Sequence, residues 1–249
     1  MKPHSKRKFV GNFKVDFEFN EIEGYYENAK KPSEIDFEEY PKVFIQTKDK
    51  NVTQGFIYLK DKKPIAIPEP EPSILYFTNA ENKLIHLLDF QKKIIESKQF
   101  DNFNELSHTF FEFFQMSSDF IINLFTSIEA FNNSLIPDDF NIKIKRKTFD
   151  KFQAQKSIDF LTKVKKVVPS IEKKSYFKDY PKDYDFLLKF KKLRDNVVHT
   201  KNLQSGFPAS YRELYVSYID FDFEKSYELV KNYMNYYKDN WIENCNCGI

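Results

Sequence analysis

The stretch LLKFKKLRDNVVHTK, residues 187–201, decides how the rest of the chain is read. At about 100° per residue it has helical spacing, with Phe186, Phe190, Leu193 and Val197 on one stripe. Arg194 projects beside that stripe, between it and Val198. A guanidinium among apolar neighbours is costly unless it is paired or meets an anion. Asp195 and His199 are four residues apart, so they share a face and are expected to hydrogen-bond one turn apart, which would fix the imidazole tautomer. The sequence has four histidines, and one of them closes this short polar run.

Working outward, the chain of 249 residues suits one large domain or a small one followed by a larger one. Hydrophobic residues make up 41% of it, with 28 Phe and 15 Tyr, enough for a packed core. The 31% of charged residues and the absence of a long apolar run argue against a membrane protein. The N-terminus MKPHSKRKFVGNF is basic but lacks an apolar signal core, so an intracellular, cytoplasmic protein is expected. The two cysteines, Cys245 and Cys247, cannot make a disulfide framework, and with the histidines they show no metal-ligand spacing. No phosphate-binding glycine loop or HExxH is present, so neither a metal nor a cofactor is expected.

Charge is unevenly placed. Residues 141–201 hold 18 Lys and Arg against 7 Asp and Glu, a local balance of +11, while the remainder carries −9. Such asymmetry points to a polyanionic partner for the basic part. Lys143, Lys145, Arg146 and Lys147, together with Lys191 and Lys192, are the candidates for gripping phosphates without reading sequence. Clustered lysines on solvated faces are the alternative.

Along the chain, residues 13–19 alternate apolar and charged side chains and predict a strand. Val43-Phe44-Ile45 and Phe56-Ile57-Tyr58-Leu59, on either side of the turn-like residues 48–51, predict a hairpin. PIAIPEPEPS then reads as a proline-rich connector that sustains neither helix nor central strand, which ends a small β-containing region at about residue 73. Beyond it the period changes. Helices are predicted over 80–97, over some thirty residues from Asn104 to Leu135, over 148–167 with Phe149, Phe152, Ile158, Leu161 and Val164 inward, across the opening stretch, and near the C-terminus up to Trp241. Residues 143–147 read as a lysine-rich linker, and SIEKKSYFKDYPKDYD as a polar loop leading to the 187–201 helix. The expectation is mainly α, α+β overall: residues 1–73 as a β-containing region, then a bundle of about five helices over 74–249.

RDNVVH resembles the Arg-x(4–6)-His signature of the HEPN superfamily, with a polar residue directly after the arginine. Its place late in a helical bundle is similar too, and the segment around Glu129 on the long helix looks like the Glu-containing helix of several HEPN groups. The resemblance implies a metal-independent endoribonuclease acting as a homodimer, with two motif helices facing each other across a composite cleft. Arg194 would stabilise the pentavalent phosphate, His199 would transfer protons, Asp195 would orient His199, and Asn196 would contact phosphate or ribose. Relatives of this kind include toxins and antiviral effectors of abortive infection, so RNA and an antitoxin or sensor partner are implied. Many HEPN domains are non-catalytic binding modules. Against catalysis, His199 can simply favour a helix C-terminus, Arg194 can bridge structurally to Glu129, and Glu129 can be a solvated partner for a lysine.

Overall fold

The computed structural model describes residues 5–7, 43–46, 52–61, 63–97, 103–200 and 211–244. The chain is mainly α with short antiparallel strands, and it divides into two compact units, Lys8–Glu71 and a helical unit of Met1–Arg7 with Pro72–Ile249. No helix among the described residues is long and apolar enough to cross a membrane.

The smaller unit contains a three-stranded antiparallel sheet of β2 (Val43–Gln46), β3 (Val52–Lys60) and β4 (Lys63–Pro68), in that order. The predicted hairpin is β2–β3, with Val43 opposite Gly55 and Gln46 opposite Val52. The predicted strand at 13–19 and turn at 48–51 lie outside the described residues. The proline-rich connector is partly a strand: β4 pairs with β3, placing Pro68 opposite Gly55 and Pro64 opposite Leu59. Among the described strands β4 is at the edge, where a residue without an N–H can face away from the ladder.

In the helical unit, β1 (Ser5–Arg7) pairs with β7 (Ile242–Asn244), so the chain's first strand belongs here and not with the other N-terminal strands. Helix α1 (Pro72–Glu96) begins eight residues before the predicted start, because a proline in the first helical turn gives up only an N–H that the helix leaves unused. Helix α2 (Phe103–Ser134) runs 32 residues, about 48 Å at 1.5 Å per residue. Ser117 and Ser118 do not interrupt it; their hydroxyls donate to the carbonyls of Phe113 and Phe114. Pro137 follows three residues after its end.

The next segment differs most from expectation. Residues 143–147 form no linker but the turn end of a hairpin, β5 (Asn141–Ile144) and β6 (Lys147–Asp150), turned at Lys145, whose φ is 56°. Asp150 then caps α3 (Lys151–Ser157): its carboxylate accepts from Gln153 N–H at 2.8 Å, and the Gln153 side chain accepts from Asp150 N–H. Phe152, predicted to face inward, is 69% exposed on this short helix. The single helix predicted over 148–167 is thus divided, and it resumes as α4 (Phe160–Thr162), a π-helical turn Lys163–Val167, and α5 (Val168–Glu172). Pro169 does not stop it. The widened turn just before Pro169 relieves the clash of its ring with the preceding turn and absorbs the missing N–H.

The predicted polar loop holds α6 (Tyr176–Asp179), with Tyr176 and Phe177 buried, and the first turn of α7 (Pro181–Val198). Helices α8 (Arg212–Ile219) and α9 (Phe223–Tyr237) complete the unit. Its main core is aromatic: Phe223 meets Phe113, Phe120 and Phe221 edge to face, while Tyr233 packs against Phe131, Tyr176 and Phe177. A second, smaller cluster of Ile136, Phe140, Ala154, Ile158 and Val167 lies under the β5–β6 hairpin.

Candidate functional site

The expected stripe of α7 is realised, with Leu187 and Phe190 fully buried, Leu193 nearly so, and Phe186 and Val197 packed at the margin. Phe190 meets the ring of Phe125 on α2 edge to face at 5.3 Å. One turn on along each helix, the same pairing becomes ionic: Arg194 Nη2 donates to Glu129 Oε1 at 3.0 Å. The step from ring pair to ion pair marks where the helix contact passes from dry core to rim. Glu129, itself 40% exposed, is therefore a partner of the motif arginine.

Arg194 is held on three sides. Its guanidinium lies over the Phe125 ring at 4.1 Å, its Nη1 is 3.2 Å from Asp195 Oδ1, and Nη2 holds Glu129. Its Nε–H is buried without a partner. The side chain keeps 20% of its surface exposed. A guanidinium over an aromatic face contributes roughly 0.5–2 kcal/mol, and a partly exposed ion pair about 0–1 kcal/mol. These contacts fix geometry more than they stabilise the fold.

The expected bond between Asp195 and the imidazole of His199 is not among the side-chain bonds of the described residues. The Asp195 carboxylate accepts from Lys191 Nζ and faces Arg194, while His199 is tied to it through the backbone, His199 N–H donating to the Asp195 carbonyl at 2.9 Å. Locally, α7 ends at Val198 and His199 is its C-cap, at φ −112°, ψ 51°, while the Asp195 carboxylate is already engaged by Lys191 and Arg194. Asn196, Lys192 and His199 are exposed. Lys191 is spent on Asp195. Lys143, Lys145, Arg146 and Lys147 are exposed on the β5–β6 hairpin, where Ile142 and Ile144 turn inward, and the side-chain partners of Arg194 and Asp195 are Glu129, Lys191 and each other and not these four. Cys245 and Cys247 lie outside the described residues.

One residue went unnoticed in the sequence. Lys163, within the run KVKK, is only 8% exposed. Its ammonium donates to Asn133 Oδ1 at 2.9 Å and to the Gln155 carbonyl. Burial pushes its pKa down, opposed by the charges of Glu129 and Asp159. Asp159 is held below the ordinary carboxylate range by its hydrogen bonds at the start of α4, where Thr162 N–H donates to it at 3.0 Å. Lys163, Asn133, Gln155 and Asp159 line a cleft of about 320 Å³ together with Glu129, Lys156, Ile158 and Phe160. Glu129 thus belongs to two arrangements at once, the motif arginine on one side and this cleft on the other. The available signal was a lysine at helical spacing among Phe160, Val164 and Val167, all of which face inward.

No family model, curated protein or solved structure matches the chain.

Proposed function

We propose that the protein is a metal-independent endoribonuclease of the HEPN type, cleaving RNA through attack of a ribose 2′-hydroxyl on the adjacent phosphate. The observation that carries the reading is the Arg194–Glu129 contact. It holds the motif arginine at the rim of the α2–α7 packing, one turn from an exposed His199 and not inside the core. Such a reaction needs positive charge on the pentavalent phosphate and groups that move two protons. Arg194, forked and permanently charged, is suited to the first. An imidazole can accept a proton at one ring nitrogen and donate one from the other, which suits His199 to the second. Asp195, engaged with Arg194 and Lys191, would orient the arginine instead of the imidazole. Asn196, exposed on the same helix, would contact phosphate or ribose.

A single histidine per chain leaves one proton transfer unassigned. A homodimer pairing two α7 helices would supply the second, and Leu188 and Val198, 38% and 51% exposed on α7, are apolar surface that such a pairing would cover. The expected result is cleavage of total RNA that persists in EDTA and leaves 2′,3′-cyclic phosphate ends. It should be abolished in both Arg194→Ala and His199→Ala proteins whose circular dichroism is unchanged. Control by an antitoxin or sensor, and a role in abortive infection, belong to the same reading.

A second reading is favoured by the same arginine. With Glu129, Asp195 and Phe125 all engaging it, Arg194 also fits a structural bridge in a non-catalytic module that binds nucleic acid or protein. RNA left intact by the wild-type protein, alone and with candidate activators, would decide for that module.

A further inference from the structure

The cleft beside Glu129 has no part in the chemistry above, yet it is built. A lysine more than nine-tenths buried stands in its wall, fixed by Asn133 and the Gln155 carbonyl. An ammonium has three donors, so these two bonds leave it one more. The charges facing the cleft balance: Lys163 and Lys156 against Glu129 and Asp159. Two carboxylates disfavour a phosphate there, and two ammonium groups disfavour a cation. A neutral group carrying both donors and acceptors is what remains. At about 320 Å³ the cleft is at the small end of ligand pockets.

We infer that this cleft is a nucleobase pocket that takes guanine from a nucleotide next to the phosphate gripped by Arg194. The inference rests on the ribonuclease reading and adds its specificity. Sequence-specific recognition of single-stranded RNA reads splayed bases by hydrogen bonds to their Watson–Crick edges. On that edge guanine presents two adjacent donors, N1–H and N2–H, beside the acceptor O6. A carboxylate receives the donor pair, and the remaining Lys163 N–H meets O6. Adenine, cytosine and uracil each offer only one donor on that edge, so none forms the two-pronged contact with a carboxylate. Glu129 connects this reading to the cleavage site, because the carboxylate that lines the cleft also holds Arg194.

The test uses the full chain and non-cleavable 2′-O-methyl oligouridines bearing one guanine, inosine or adenine, with affinity read by fluorescence anisotropy. Guanine should bind roughly tenfold more tightly than inosine, which lacks the 2-amino group, or adenine, the scale of one two-pronged base contact. Lys163→Met should lose the preference while still binding plain oligouridine. Should that variant fail to fold, the wild-type protein carries the test: 6-thioguanosine at the same position should photocrosslink to residues 129–133 or 155–163. Equal binding of all three bases, or crosslinks confined to the 141–150 hairpin, overturns the pocket and leaves the nuclease standing. Absence of binding to any of these RNAs overturns both.

Discussion

Among the described residues the helical unit has two hydrophobic clusters, and they are built differently. The main core is a set of aromatic rings from long helices, α1, α2, α7 and α9, each contributing residues three and four apart. The second cluster gathers Ile136, Phe140, Ala154, Ile158 and Val167 from the loop that follows α2, α3 and its C-cap, and the π-helical turn, and it is roofed by a hairpin of two four-residue strands. The first rests on length and repetition, the second on a capping box, a left-handed turn and a proline-adjacent widening of the helix. Lys163 stands where the two adjoin, with Val164 in the main core and Val167 in the second cluster. Polar side chains meet at the seam between the clusters, where Asn133 and the Gln155 carbonyl hold Lys163 and Glu129 lines the same cleft.

If the difference is real, the clusters should fail differently. The largest effect is expected from Phe223→Ala. Phe223 is fully buried and meets three other rings, so its loss should cost about 3–5 kcal/mol and lower the midpoint of chemical denaturation for the whole unit. A loss below about 1 kcal/mol would mean that the ring cluster is redundant.

Ile158→Val should act more weakly and more locally. Removing one methylene from a buried site costs about 0.5–1.5 kcal/mol, and here it should appear as faster hydrogen exchange at the β5–β6 amides and in α3, with α2 and α9 unchanged. Equal acceleration across all helices would show that the two clusters open as one.

The same contrast explains what could be read beforehand. The stripes Phe113–Phe120–Leu124–Phe131 on α2 and Phe186–Phe190–Leu193–Val197 on α7 follow helical spacing over many turns, so mainly α architecture was legible. The second cluster was not. In IKIK, residues 142–145, the alternation of Ile142 and Ile144 with Lys143 and Lys145 spans four residues, too few to outweigh a composition that reads as a solvated linker. Pro64 and Pro68 signal a connector unless the strand is at an edge, which only pairing decides. At the site, Arg194 and His199 were visible as residue types. The Glu129 contact was visible only as one of two alternatives, and the Asp195–His199 pairing assumed a helix that continues past Val198. Lys163 was hidden because composition counts a lysine as surface, and its burial depends on a π-helical turn that no short-range pattern announces.

The smallest effect tests Lys163 as the buried cation at that seam. Burial holds its pKa below the ordinary 10.5. Between the depressed value and 10.5 the unfolded chain binds a proton that the folded chain has released, so stability should rise with pH across that window. Buried tyrosines act with the opposite sign. Burial raises Tyr176, Tyr218, Tyr233 and Tyr237 above the ordinary 10.0, so they stay protonated in the fold while the unfolded chain ionises, and stability falls as pH passes that value. Urea denaturation of the wild type, followed on the alkaline side up to and past the ordinary tyrosine value of 10.0, should therefore show a rise followed by a fall. Lys163→Met should flatten the rise and leave the fall, since it removes only the group whose folded value is depressed. An unchanged rise in the variant would mean that the Lys163 ammonium is hydrated in solution, and that the polar seam between the clusters is open to water and not closed around a buried charge.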